Sequence, residues 1–137
     1  MTRGYPAIEL GSSMFMHVPA VSHDSLRRFA RASGDHNPIH LDQATARAAG
    51  YEDVIVHGML SMAFVGRVLT TWFPQCDLRA FSVRFVAMTP VGSELRVTGE
   101  VEEIVDAGAR RLAHIVLRVT RDDGACTLEG TAVAALH

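Results

Sequence analysis

The main change in the spacing of hydrophobic residues along this chain occurs near residue 75. Beyond that point apolar and polar residues alternate, which is typical of half-buried β-strands. The alternation predicts strands over residues 81–87, 95–101, 113–119 and 126–136. Asp106-Ala107-Gly108 and Asp122-Asp123-Gly124 predict turns between three of these strands. We therefore expect the second half of the chain to form an antiparallel meander.

The first half of the chain favours helices joined by loops. Residues 14–18 alternate and predict one short strand, but the spacing then changes to three and four. A helix is predicted from the cap Ser22 to about Ser33, and Gly34 is a suitable stop. A shorter helix is predicted over Gln43–Ala49, behind the cap Asp42.

A third helix is predicted from about Gly58 to about Trp72, and it is apolar on nearly every side. Arg67 is its only charged residue, so we expect most of its surface to be buried. The expected buried side consists of Leu60, Ala63, Phe64, Val68 and Leu69. Together with the strands, this helix predicts an α+β protein in which an antiparallel sheet lies against one buried helix.

Length and composition agree with one compact domain over residues 1–137, because 48% of the residues are hydrophobic. The formal charge is −2 without a basic stripe, which argues against a nucleic-acid partner. No apolar run reaches the roughly 18 residues that suggest a membrane span. Residues 1–10 lack the pattern of a signal peptide, so we expect a cytoplasmic protein with Cys76 and Cys126 reduced.

The first candidate for chemistry is the loop Gly34–His40, in which Pro38 rules out a regular helix. A carboxylate and an imidazole held together, here Asp35 and His40, can activate a water molecule and move its protons. An equally open interpretation is a capping aspartate beside a histidine that bonds the backbone. His36 and His40 have the four-residue spacing of metal ligands, but Pro38 separates them and no other cluster offers further ligands. We therefore expect no metal.

The second candidate is the segment Val56–Leu60, at the start of the third helix. The amide of Gly58 would lie at the helix N-terminus, where unpaired N–H groups favour negative charge on a carbonyl oxygen. Ser61 is one turn further along the helix, and His57 is expected to bond nearby loop backbone. No glycine-rich phosphate motif follows a strand, so we expect no nucleotide cofactor.

Two motifs together resemble a known family. Ser33-Gly34-Asp35-His36-Asn37-Pro38-Ile39-His40, followed by Val56-His57-Gly58-Met59-Leu60, is similar to the hydratase-2 motif of MaoC-like proteins. The resemblance implies a hot-dog fold, in which a curved antiparallel sheet wraps around a long central helix. It also implies that Asp35 and His40 are catalytic, that the Gly58 amide binds a thioester carbonyl, and that Ser61, Asn37 and His57 surround the substrate.

The resemblance implies a hydro-lyase that reversibly hydrates trans-2-enoyl thioesters of CoA or acyl carrier protein to (3R)-hydroxyacyl thioesters. One alternative is the catalytic subunit of a heterodimeric (3R)-hydroxyacyl dehydratase of fatty acid elongation. A hot-dog thioesterase is disfavoured because residues 59–71 contain no carboxylate, and a non-catalytic acyl-binding subunit because Asp35 and His40 are both present. We expect a homodimer, since strands near residues 79–88 and 110–120 would leave open sheet edges.

Overall fold

The computed structural model describes residues 4–137, and its helices and strands occur where the sequence predicts them. Their bounds are β1 Ser13–Val18, α1 His23–Ser33, α2 Gln43–Ala48, α3 Gly58–Trp72, β2 Leu78–Phe85, β3 Leu95–Ala107, β4 Arg110–Arg121 and β5 Cys126–Leu136. The strands β3 and β4 are longer than predicted, and β2 ends two residues earlier. Among residues 4–137, every helix is too short or too polar to cross a membrane.

The five strands form one antiparallel sheet in the order β1-β3-β4-β5-β2. Strand β2 is an edge strand, as expected for residues 79–88. The expectation of an open edge at residues 110–120 is wrong, because β4 lies in the middle of the sheet between β3 and β5. Consecutive hairpins β3–β4 and β4–β5 enclose β4, and β1 forms the other edge by pairing with β3.

Helix α3 lies against the sheet and contacts β1, β3 and β4. Its fully buried residues are Ser61, Val65, Val68 and Leu69. Ala63 was predicted on the buried side, but it is exposed on the opposite face of the helix. Because α3 is apolar all round, its sequence contains no polar stripe that would indicate which side the sheet covers.

Two aromatic residues of β2 lie against glycines of α3. A Cβ atom added to Gly58 would lie 3.1 Å from the ring of Phe85, and one added to Gly66 would lie 3.6 Å from the ring of Phe81. Strand β2 therefore runs along the helix, with Phe85 beside its N-terminus. Phe85 is nevertheless 50% exposed.

Candidate active site

The loop after α1 is shaped by side-chain oxygens at alternate positions. Gly34 ends the helix in the left-handed conformation, with φ of 79°. The Asp35 amide then donates to Ser33 Oγ at 3.2 Å, the Asn37 amide to Asp35 Oδ1 at 3.2 Å, and the Ile39 amide to Asn37 Oδ1 at 3.1 Å. We call this set of bonds the Ser33–Asp35–Asn37 ladder. Asn37 thereby caps a single 3₁₀ turn, Pro38–His40, so side-chain bonds and one short turn take the place of a regular helix.

The segment 54–56 holds this loop from the other side. The Ile55 amide donates to the Ile39 carbonyl at 3.2 Å, and the Ile55 carbonyl accepts a bond from His40 Nδ1 at 2.8 Å. The Val56 amide donates to the Thr89 carbonyl at 2.8 Å. Residues that precede α3 are thereby tied both to the loop of Asp35 and to the connection between β2 and β3.

Asp35 and His40, 5 residues apart in the chain, face each other across a short gap. Asp35 Oδ2 lies 3.9 Å from His40 Nε2, which is too long for a direct hydrogen bond. A carbonyl oxygen only accepts, so the contact with Ile55 places the ring proton of His40 on Nδ1. In the neutral ring Nε2 is then an unprotonated nitrogen aimed at the carboxylate. The His40 side chain is 12% exposed and that of Asp35 is 46% exposed.

His57 and Asn37 support this pair from outside the cavities described below. His57 is fully buried, and its Nε2 donates to the Asp35 carbonyl at 3.1 Å, a loop-backbone bond of the kind that the sequence predicts. The rings of His57 and His40 stack at 4.0 Å between centroids. Burial lowers the pKa of His57 below its ordinary value, and the neighbouring His40 lowers it further. The exposed Asn37 accepts the third bond of the ladder.

Gly58 and Ser61 lie with His40 on the wall of a cavity of about 250 Å³. Within the described chain no side chain caps α3, and the amides of Gly58 and Met59 have no acceptor, whereas the Leu60 amide donates to the His57 carbonyl at 3.0 Å. The remaining wall is mostly apolar and includes Phe85 and Met88. The cavity therefore combines an imidazole, a helix N-terminus and a hydroxyl with an apolar lining.

A second, more open cavity of about 540 Å³ begins at Asp35 and runs between α1, α3 and β2. Its lining includes Phe29, Met59, Ala63 and Phe81. The shape of neither cavity could be predicted from the sequence, because each is assembled from elements far apart in the chain.

The ligand atoms of Asp35, His40 and His57 all lie within 4.8 Å of one another, which raises the question of a metal site. The two imidazole rings are stacked with only 24° between their planes, so their in-plane lone pairs lie in two nearly parallel planes. His57 Nε2 is also occupied by the Asp35 carbonyl. Tetrahedral ligation requires lone pairs that converge on one point, and this arrangement does not fit it. His36, the other candidate, is exposed.

The sheet, its single long helix and the polar loop at the helix N-terminus define a hot-dog protein. More narrowly, the chain belongs to the family described as MaoC like domain, whose model matches residues 14–122. The structure of the (R)-hydratase from Aeromonas caviae involved in PHA biosynthesis superimposes with a TM-score of 0.83 at 27% identity, covering 96% of this chain and 98% of that one. The predicted fold is thereby confirmed.

Proteins with similar sequences are named as hydratases or dehydratases. The (R)-specific enoyl-CoA hydratase of Aeromonas caviae is 34% identical over 110 residues, which are 79% of this chain and 81% of that protein. A mitochondrial 3-hydroxyacyl-[acyl-carrier-protein] dehydratase of Arabidopsis thaliana is 34% identical over 74 residues. That match covers 54% of this chain and 45% of the plant protein, so the chain spans less than half of this relative.

Proposed function

We propose that this protein reversibly hydrates trans-2-enoyl thioesters to (3R)-hydroxyacyl thioesters, with Asp35 and His40 as its acid–base pair. The observation that carries the proposal is the 3.9 Å separation of Asp35 Oδ2 and His40 Nε2, two hydrogen-bond acceptors that face each other beside a cavity. A gap of this length suits two groups that hold one water molecule between them. The names of the relatives, hydratases and dehydratases of acyl thioesters, support the same reaction.

In the forward direction the water oxygen bonds to C3 of the enoyl group. One water proton passes to the pair, and one proton passes from the pair to C2, so the pair ends as it began. Protonation of His40 at Nε2 is supported by its Nδ1–H bond to the Ile55 carbonyl, which fixes the ring in the required orientation. Dehydration is the same path in reverse.

Negative charge develops on the thioester oxygen as the water attacks, and the Gly58 amide is our candidate donor for it. Gly58 is the first residue of α3, where the helix dipole and the unpaired amides of Gly58 and Met59 favour an anion. Ser61 lines the same cavity and is buried, so its hydroxyl is available to the bound thioester. Asn37 shapes the loop rather than the cavity wall.

The two apolar cavities on either side of the pair provide room for the acyl chain. Neither a nucleotide cofactor nor a metal is needed for this reaction, since the pair itself supplies and removes protons. The carrier is CoA or acyl carrier protein, and the names of the relatives include both kinds of thioester.

The decisive experiment measures the loss of enoyl-thioester absorbance with crotonyl-CoA and with a long-chain enoyl-CoA. Asp35→Asn is the matched control, because asparagine keeps the Oδ1 acceptor of the ladder and loses the basic carboxylate. We expect activity in the wild type and a loss of about 10²–10⁴-fold in the variant. No activity on either substrate, or a variant that retains more than about a tenth of the rate, contradicts the proposal.

We further propose that two copies of the chain form a homodimer through β2 and the outer face of α3. Strand β2 is a sheet edge, and edges are usually paired or covered. Beside it lie apolar side chains that are half exposed, with Met59 at 55% and Phe85 at 50%. A twofold contact would pair the two edges and cover both apolar faces at once.

Sedimentation of the purified chain at micromolar concentration tests the dimer, with hydratase activity measured on the same sample. A fully active monomer refutes the homodimer. An inactive monomer instead favours the heterodimeric alternative, in which a related chain completes the enzyme.

We also propose a cytoplasmic location. Cys76 and Cys126 are unpaired, and Cys76 is exposed, which suits a reducing compartment. The Arabidopsis relative is mitochondrial by name, so fractionation of the native cells decides between the two compartments.

A further inference from the structure

His57 lies directly behind the catalytic pair and contacts both of its members. Its Nε2 donates to the Asp35 backbone carbonyl at 3.1 Å, and its ring stacks on His40 with 24° between the planes. The Phe29 ring closes the third side, edge-on at 4.9 Å. His57 donates no hydrogen bond to Asp35 Oδ2 or His40 Nε2, so both atoms keep their lone pairs for the substrate and water.

The burial of an imidazole at this position has a cost that an apolar residue would avoid. His57 Nδ1 has no hydrogen-bond partner among the described residues and is fully buried. An unpaired buried polar atom destabilises the folded state. The presence of a histidine is therefore explained by its other nitrogen, Nε2, which donates a hydrogen bond to the Asp35 carbonyl.

Among residues 4–137, the titratable groups that face His57 are Asp35 from the loop and His40 from the turn after it, while Phe29 from α1 is neutral. Burial and the proximity of His40 both lower the pKa of His57, while the bond to the Asp35 carbonyl opposes them. His57 consequently stays neutral near pH 7, and it places no positive charge against His40 when His40 accepts a proton.

We propose that His57 is a positioning residue for the hydration: it fixes the Asp35 backbone through Nε2–H and the plane of the His40 ring through stacking. This inference rests on the proposed function. Asp35 is then held at both ends, its amide by Ser33 Oγ and its carbonyl by His57. His40 is likewise held twice, at Nδ1 by Ile55 and across its face by His57.

A matched pair of variants isolates the hydrogen bond. His57→Gln and His57→Met are unbranched and similar in size, and both lose the stack, but only glutamine carries an N–H donor at a comparable reach. Misplacement of catalytic groups by about 1 Å costs about 10²-fold in rate. We expect His57→Met to lose about 10²-fold in kcat, with KM changed less than about threefold. The kcat of His57→Gln should be at least about tenfold higher than that of His57→Met.

Equal losses in the two variants contradict the role of the hydrogen bond, and wild-type kcat in both overturns the proposal. Thermal unfolding of the two variants shows whether they are equally folded, so that a general loss of structure is recognised. If neither variant folds, nitrogen-15 NMR of wild-type histidines at pH 7 decides the matter. We expect the proton of His57 on Nε2 and that of His40 on Nδ1, and a charged His57 or the opposite tautomer overturns the proposal.

The carbon-13 shift of the Asp35 carbonyl separates this inference from the proposed function. The shift should change in His57→Met and be largely retained in His57→Gln, whatever substrate the protein uses. A wild type that hydrates no enoyl thioester refutes the function alone, and the carbonyl shift still decides whether His57 holds the loop.

Discussion

Replacing Gly58 with proline should remove the proposed amide donor while leaving the helix in place. Proline is tolerated at the first position of a helix, where its missing N–H is not needed for the helical bonds. Proline also requires an extended residue before it, and His57 already has φ of −55° and ψ of 129°. The fold is therefore expected to survive, so that a change in rate reports on the missing donor.

The expected loss of rate in Gly58→Pro depends on the missing amide donor and on the steric crowding between the added Cβ and Phe85. Loss of one oxyanion donor costs about 10²–10³-fold in rate, or ~2.7–4 kcal/mol. Proline also adds a Cβ, which would lie 3.1–3.4 Å from three atoms of the Phe85 ring. Gly58→Ala adds the same atom and keeps the amide, so it is the matched control. Because Phe85 is half exposed and has room to move, we expect alanine to cost less than about tenfold.

The assay is hydration of crotonyl-CoA, with kcat and KM determined separately for the wild type and both variants. We expect Gly58→Pro to lose mainly kcat, because the donor acts on charge that develops in the transition state. A folded Gly58→Pro enzyme whose kcat/KM lies within tenfold of that of Gly58→Ala refutes the oxyanion role. Circular dichroism and the unfolding temperature establish that the comparison is between folded proteins.

Further predictions concern the pair, the loop and the buried histidine. The losses in Asp35→Asn and His40→Ala should each reach about 10²–10⁴-fold and should not multiply in the double variant, because the pair acts as a unit; kinetics of all three variants tests this. Asn37→Ala should destabilise the fold by about 0.5–1 kcal/mol in urea unfolding, whereas Asn37→Asp keeps the acceptor for the Ile39 amide and most of the stability. The lowered pKa of His57 means that the unfolded chain binds its proton more readily, so the free energy of unfolding should fall as the pH drops below the ordinary value of 6.5. In His57→Gln this part of the pH dependence should disappear, and an unchanged dependence contradicts the assignment.

The local elements could be predicted from the sequence because their signals are local. The alternation of apolar and polar residues predicts the strands. The helix caps are also as expected, because Ser22 accepts the Ser25 amide and Asp42 accepts the Thr45 amide. The place of β4 inside the sheet and the exposure of Ala63 could not be predicted in this way. Both depend on pairing and packing between distant parts of the chain, which the period of the hydrophobic pattern does not contain.

The site was predictable to a similar extent. The motif identified Asp35, His40 and Gly58 as candidates, and their geometry is compatible with the expected chemistry. The sequence predicts that His57 bonds loop backbone, but it does not indicate the actual partner, the Asp35 carbonyl 22 positions away. The ladder, by contrast, has a readable signal: Ser, Asp and Asn at every second position favour consecutive turns stabilised by side chains.

Asp35 has two roles in the motif: a proposed catalytic role and a structural role in the ladder. Asp35 Oδ1 accepts the Asn37 amide, and an asparagine at position 35 would present an equivalent oxygen there. With Asp35 in its proposed catalytic role, a duplicated gene would lose its activity by the single substitution Asp35→Asn, and natural selection on folding would not oppose the change. Pseudoenzyme subunits with intact loops are expected to arise readily from such a chain. The spacing of the motif thus indicates the shape of the loop, and the carboxylate at position 35 is the part that the proposed catalysis requires.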